Sequence, residues 1–119
     1  MKKTLVVGAT DNPTRFAYKA TQRLLQYGHP IELLGLKKGN IGGHEIQQGQ
    51  PSLQGVDTIT LYVGPQNQPP LYDYLLSLQP KRIIFNPGTE NEELKRLAKE
   101  KGIETTYDCT LIMLSAGDY

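Results

Sequence analysis

A chain of 119 residues is long enough to bury one hydrophobic core without disulfide or metal staples. Its formal net charge of +1 excludes nucleic-acid binding through bulk charge, and its single cysteine, Cys109, excludes an intrachain disulfide and fits a reducing compartment. No apolar run approaches the roughly 18 residues of a membrane span. The run after Met1-Lys2-Lys3 is broken too soon by Gly8 for a signal peptide, so a soluble cytoplasmic protein is expected, with neither membrane nor nucleic acid as partner.

The first predicted element is a short strand over Leu5, Val6 and Val7, stopped by Gly8. A turn through Thr10 and Asn12-Pro13 follows, then a helix carrying Phe16, Ala17, Ala20, Leu24 and Leu25 at helical spacing, with Arg15 just inside its start. Gly28 and Pro30 end it, because glycine takes the left-handed cap and proline cannot continue. Residues 31–36 (Ile-Glu-Leu-Leu-Gly-Leu) read as a second buried strand ending at Lys37-Lys38-Gly39. Residues 40–54, rich in Gly and Gln, read as a surface loop with at most a small edge strand near Ile46.

Residues 56–63 are dense in β-branched and aromatic side chains and predict a third strand ending at Gly64-Pro65. Pro69-Pro70 suit a first helical turn, and Leu71, Tyr74, Leu75 and Leu78 share one face until Pro80. Residues 81–85 predict a fourth strand ending at Asn86-Pro87-Gly88. Thr89 and Glu92 have capping-box spacing before a helix through Leu94, Leu97 and Ala98 that stops at Gly102. Residues 103–107 predict a fifth strand, followed by Asp108-Cys109-Thr110 and an apolar run over residues 111–114. Strands alternating with helices of these lengths predict one α/β domain over residues 1–119. Its fold is a Rossmann-like open parallel sheet of about five strands with helices on both faces.

Ligands of such sheets bind beyond the carboxyl ends of the strands, where strand order reverses. The first turn departs from the dinucleotide fingerprint Gly-x-Gly-x-x-Gly: Thr10 and Pro13 stand where the second and third glycines belong. Thr10 and Arg15 at a helix head can hold a phosphate, or Thr10 can merely cap while Arg15 is solvated. Where NAD-binding domains place an acid after the second strand, this chain has Leu36, Lys37 and Lys38. Two ammonium groups there point to a ribose bearing a phosphate, on the 2′ oxygen in NADP or the 3′ oxygen in coenzyme A; an exposed Lys-Lys-Gly turn is the plain alternative. His29 reads as a turn residue. His44 has no second ligand at metal spacing, and no nucleophile elbow or Gly-Lys-Ser/Thr loop is present, so neither a metal site nor a catalytic residue is expected. Cys109 reads as a packing residue near a strand end, with a mixed disulfide to a ligand thiol as a lesser conjecture.

Taken together, these segments resemble the small CoA-binding domain family, single-domain Rossmann-like proteins similar to the CoA-binding domain of the succinyl-CoA synthetase alpha subunit. Val7-Gly8-Ala9-Thr10-Asp11-Asn12-Pro13-Thr14-Arg15 resembles the family's Val-Gly-Ala-Ser-x-Asn-Pro-x-Arg opening. Leu36-Lys37-Lys38-Gly39, Ile41-Gly42-Gly43-His44-Glu45-Ile46 and Pro51-Ser52-Leu53 follow in the family's order, as do Val56-Asp57, Asn91-Glu92-Glu93 and Asp108-Cys109. The resemblance implies that Gly8, Ala9, Thr10 and Asn12 receive a diphosphate, with Arg15 adding a charged hydrogen bond. It implies that Lys37 or Lys38 meets the 3′-phosphate, that Val63, Gly64 and Pro65 line the adenine or pantetheine side, and that Asn86, Pro87 and Gly88 flank the thiol-bearing arm. Many relatives carry Phe-Arg-x-Pro where this chain has Tyr62-Val63-Gly64-Pro65, so that arginine is missing. The expected function is binding of CoA or an acyl-CoA without chemistry of its own. An NADP-dependent oxidoreductase and a degenerate interaction module are the alternatives; a protein partner or homo-oligomer is left open.

Overall fold

A computed structural model describes residues 1–119. In chain order the elements are β1 (Thr4–Val7), α1 (Phe16–Gln26), β2 (Ile31–Leu34), β3 (Asn40–Ile41), β4 (His44–Gln47), β5 (Thr58–Leu61), α2 (Tyr72–Ser77), β6 (Arg82–Phe85), α3 (Glu92–Glu100), β7 (Glu104–Tyr107) and α4 (Thr110–Ala116). One sheet holds all the strands in the order β3-β4-β2-β1-β5-β6-β7, parallel throughout except for the antiparallel β3–β4 pair. The Rossmann-like α/β architecture is as expected, with seven strands rather than about five.

The two faces follow from strand alternation. Leu5 and Val7 of β1 point into a cluster with Ile59, Leu61, Ile83, Phe85, Leu75 and Leu94, which is roofed by α2 and α3. Val6 points the other way, joining Leu33, Ala17, Leu24 and Leu114 beneath α1 and α4.

The extra strands come from residues 40–54, which hold a hairpin rather than a plain loop. Gly42 (φ 56°) and Gly43 (φ 86°) both take the left-handed conformation that a two-residue hairpin turn needs. Burial of Ile41 and Ile46 fixes its register, and β4 then adds parallel to β2 through Leu33↔Ile46 and Leu34↔Gln47.

Other boundaries also differ. β2 ends at Leu34, and Leu36 is 98 % exposed. The reason is Gly35, where a β-carbon would stand 2.4 Å from the Ala9 carbonyl oxygen: the turn after β1 crosses over the chain there. Arg15 is not inside α1 but its extended N-cap, with φ −87° and ψ 147°. The prolines delay α2, since residues Pro65–Asn67 and Pro69–Leu71 form two 3₁₀ turns first. Asn91, not Thr89, caps α3, its Oδ1 accepting from the Leu94 N–H at 3.1 Å. The apolar run at 111–114 is the middle of α4, which packs on α1. No helix is long and apolar enough to cross a membrane.

Candidate functional site

Strand order reverses between β1 and β5: the chain leaves β1 toward β2 on one side and returns to β5 on the other. The crevice at the carboxyl ends of this pair is where the turn at Gly8 lies. Gly8 has φ 93°, and a β-carbon there would approach the Tyr62 carbonyl carbon and oxygen to 3.0 Å. Only glycine lets the turn after β1 pass this close to the end of β5.

The amides of Gly8 and Ala9 both donate to the Leu34 carbonyl at 2.9 Å, so these residues shape the turn and tie it to β2. Asn12 organises the next three residues. Its Oδ1 accepts from the Thr14 N–H at 3.0 Å and hydroxyl at 2.7 Å, and its carbonyl accepts from the Arg15 N–H. Thr10 Oγ1 accepts from the Asn12 N–H at 3.2 Å. Beyond Arg15, the Phe16, Ala17 and Tyr18 N–H groups head α1 with no acceptor in the chain and no side-chain cap. Helix heads of this kind are positive and donor-rich, which suits an anion.

Three exposed cations lie on the two loops at this edge. Arg15, Lys37 and Lys38 are exposed, and none takes part in the molecule's ion pairs, which are Lys3–Glu32, Lys81–Asp57 and Arg96–Glu100. The lysine turn lies against the first turn, because Gly39 abuts the Asp11 side chain. Hence Thr10, Asn12, Arg15, Lys37 and Lys38 share one edge of the sheet.

The remaining predicted residues lie at the ends of β5 and β6. Asn86 is 1 % exposed and fully engaged: Nδ2 donates to Thr60 Oγ1 at 2.8 Å and the Leu61 carbonyl at 2.9 Å, and Oδ1 accepts from the Thr110 N–H at 2.9 Å. It fastens the start of α4 to β5 and β6. The Val63 carbonyl accepts from Gln68, a fully buried side chain that also donates to the Thr89 carbonyl and accepts from Asn91. Gly64 and Pro65 start the first 3₁₀ turn, and Pro87 and Gly88 are exposed at the end of β6. Gln68 carries no sequence signal between Asn67 and Pro69, and only its enclosure gives it meaning.

Proton-transfer groups are scarce here. Burial, then the neighbouring Cys109, raises the Tyr62 phenol well above the ordinary tyrosine value, so it stays neutral. Tyr107, at the end of β7, is pushed up to about 12 by burial and by the Glu92 carboxylate its hydroxyl donates to. Cys109 is half-buried and precedes α4. His29 lies at the opposite edge and His44 in the hairpin, and no group of three potential metal ligands exists. Two concavities, about 330 Å³ between α1 and α4 and about 500 Å³ between the carboxyl ends of α2 and α3, include none of the predicted site residues.

Residues 2–115 match the profile of the CoA binding domain. The chain belongs to the CoA-binding domain family. No curated protein matches it in sequence. A crystal structure of an uncharacterized protein superimposes on this CoA-binding domain with a TM-score of 0.98 at 55 % identity, covering 100 % of this chain and 98 % of that one. A protein from Thermus thermophilus (TM-score 0.87, 21 % identity, 99 % of this chain and 90 % of that one) shares the fold. So does a hypothetical protein from Pyrococcus horikoshii OT3 (TM-score 0.85, 21 % identity, 97 % and 82 %).

Proposed function

We propose that this CoA-binding domain holds CoA or an acyl-CoA at the carboxyl edge of β1, β2 and β5 and performs no chemistry on it. The observation that carries this reading is the head of α1, whose first N–H groups have no acceptor, on the same edge as the unpaired cations Arg15, Lys37 and Lys38. That donor set fits the ligand: amides and Arg15 suit a diphosphate, and ammonium groups on the neighbouring turn suit a ribose phosphate.

Titration of the protein with CoA, dephospho-CoA and NADPH tests this. CoA should bind, and dephospho-CoA should bind less tightly by about 1–3 kcal/mol, the range for a charge-assisted hydrogen bond. Equal affinities would remove the lysine–phosphate assignment. Binding of NADPH with none of CoA would favour an oxidoreductase instead.

A further inference from the structure

We infer that Asp11 sets how strongly this edge discriminates between a phosphorylated and an unphosphorylated ribose. The inference rests on the proposed CoA site and concerns a residue that neither the fold nor the phosphate turn requires. Asp11 leaves the first turn between Thr10 and Asn12 and reaches over the loop that follows β2. A β-carbon placed on Gly39 would come within 2.9 Å of Asp11 Oδ2 and 3.1 Å of its Cγ, so the carboxylate lies against the turn that carries the lysines. It is exposed and accepts no hydrogen bond from the chain.

Two other carboxylates near lysines are engaged. Glu32 pairs with Lys3, and Asp57 pairs with Lys81 while accepting from Thr58. Asp11 lies against the turn that carries Lys37 and Lys38 yet makes an ion pair with neither. The carboxylate at Gly39 is therefore free, against the turn that carries two exposed, unpaired lysines.

These charges act oppositely on the two forms of a ribose. The lysines attract a phosphate; a carboxylate several ångströms from the same phosphate repels it, lowering affinity by several-fold even at water-like dielectric. A ribose hydroxyl reverses the preference, because a carboxylate is an acceptor and an ammonium is not. Asp11 thus narrows the selectivity that the lysines alone would give.

The test is calorimetric titration of the wild-type chain, Asp11→Asn and Asp11→Ala with CoA and with dephospho-CoA, at low salt and at 0.5 M salt. Because the Asp11 carboxylate is exposed and unbonded, both variants should melt with the wild type. Both should bind CoA about three- to tenfold more tightly, and dephospho-CoA, which keeps the diphosphate, by a clearly smaller factor. The gain should shrink in high salt, where the Debye length falls to a few ångströms. An unchanged ratio of the two affinities, or an equal gain for both ligands, overturns the role of Asp11 while leaving the site intact. Failure of the wild type to bind either ligand overturns the site itself, and this inference with it.

Discussion

At the amino edge of the sheet Arg82 is only 9 % exposed, and its guanidinium lies 4.5 Å from the centroid of the Tyr119 ring. Its Nε donates to Thr58 Oγ1 at 3.2 Å and its Nη1 to the Tyr119 carbonyl at 3.1 Å. Lys2 donates to the same carbonyl, Tyr119 shares its hydroxyl with Thr4, and Lys3 holds Glu32 and the Gln54 carbonyl. At the carboxyl edge Arg15, Lys37 and Lys38 have no such partners. Arg82, Lys2 and Lys3 of one edge are engaged by the fold; Arg15, Lys37 and Lys38 of the other are not. Unpaired charge in water costs little, so such residues persist there without a structural role, and the same freedom leaves them available to an anion. Burial of a cation, by contrast, is sustainable only with partners, and Arg82 has a ring, a hydroxyl and a carbonyl.

The largest effect expected from this contrast is on Arg82. Arg82→Ala removes a buried stem, the stacking on Tyr119 and two hydrogen bonds, and should cost about 2–4 kcal/mol of stability. For a domain of this size that is a fall in melting temperature of roughly 10 °C or more. Titration below the lowered transition should show CoA affinity unchanged, because Arg82 lies at the far end of β6 from Asn86. A loss of CoA affinity in a folded variant would break the division between the edges.

The converse comes next in size. The double variant Lys37→Ala, Lys38→Ala should weaken CoA binding by about 1–3 kcal/mol while leaving stability within about 0.5 kcal/mol of the wild type. Dephospho-CoA should lose much less. The salt dependence of CoA binding should also become shallower, as fewer exposed charges meet the ligand. A drop in melting temperature comparable to that of Arg82→Ala would mean the lysines carry structure after all.

The carboxyl-edge half of this contrast is legible in the sequence; the amino-edge half, Arg82 and its partners, is not. β1, β5 and β6 announce themselves as apolar runs ended by Gly or Asn-Pro, and the lysines after β2 stand out because an acid is expected there. The β3–β4 hairpin was hidden because β3 has two residues and its strands are largely polar; only Gly42-Gly43 marks it. α4 was hidden because Cys109, its N-cap, makes no capping hydrogen bond that a sequence pattern could flag. Asn86 shows the deeper difficulty. An asparagine at a strand end looks the same whether it faces a ligand or, as here, ties down the neighbouring Thr110 N–H. Arg82 and Asp11 are both charged residues beside turns, and what separates them is whether the chain folds back over them.

The smallest effect sharpens the comparison through pH. His29 packs its ring at a 60° tilt against Tyr119, 4.8 Å between centroids, and its Nδ1 accepts from the Lys2 N–H at 3.1 Å. Burial first, then the terminal amine, Lys2 and Arg82, hold its pKa below the ordinary 6.5. Between that lowered value and 6.5 the unfolded chain binds more protons than the folded one, so stability rises with pH across this window and is lost on acidification. Melting temperature should therefore fall as pH drops from 7 through 6.5 and below, and His29→Gln should flatten that portion of the curve. CoA affinity should weaken over a similar range for an unrelated reason, since a phosphate monoester takes up its second proton near pH 6. His29→Gln should leave this second dependence in place, and replacing CoA with dephospho-CoA should remove it without touching the first. Two pH dependences that separate in this way belong to two independent edges; if one substitution moved both, the edges would be coupled through the sheet.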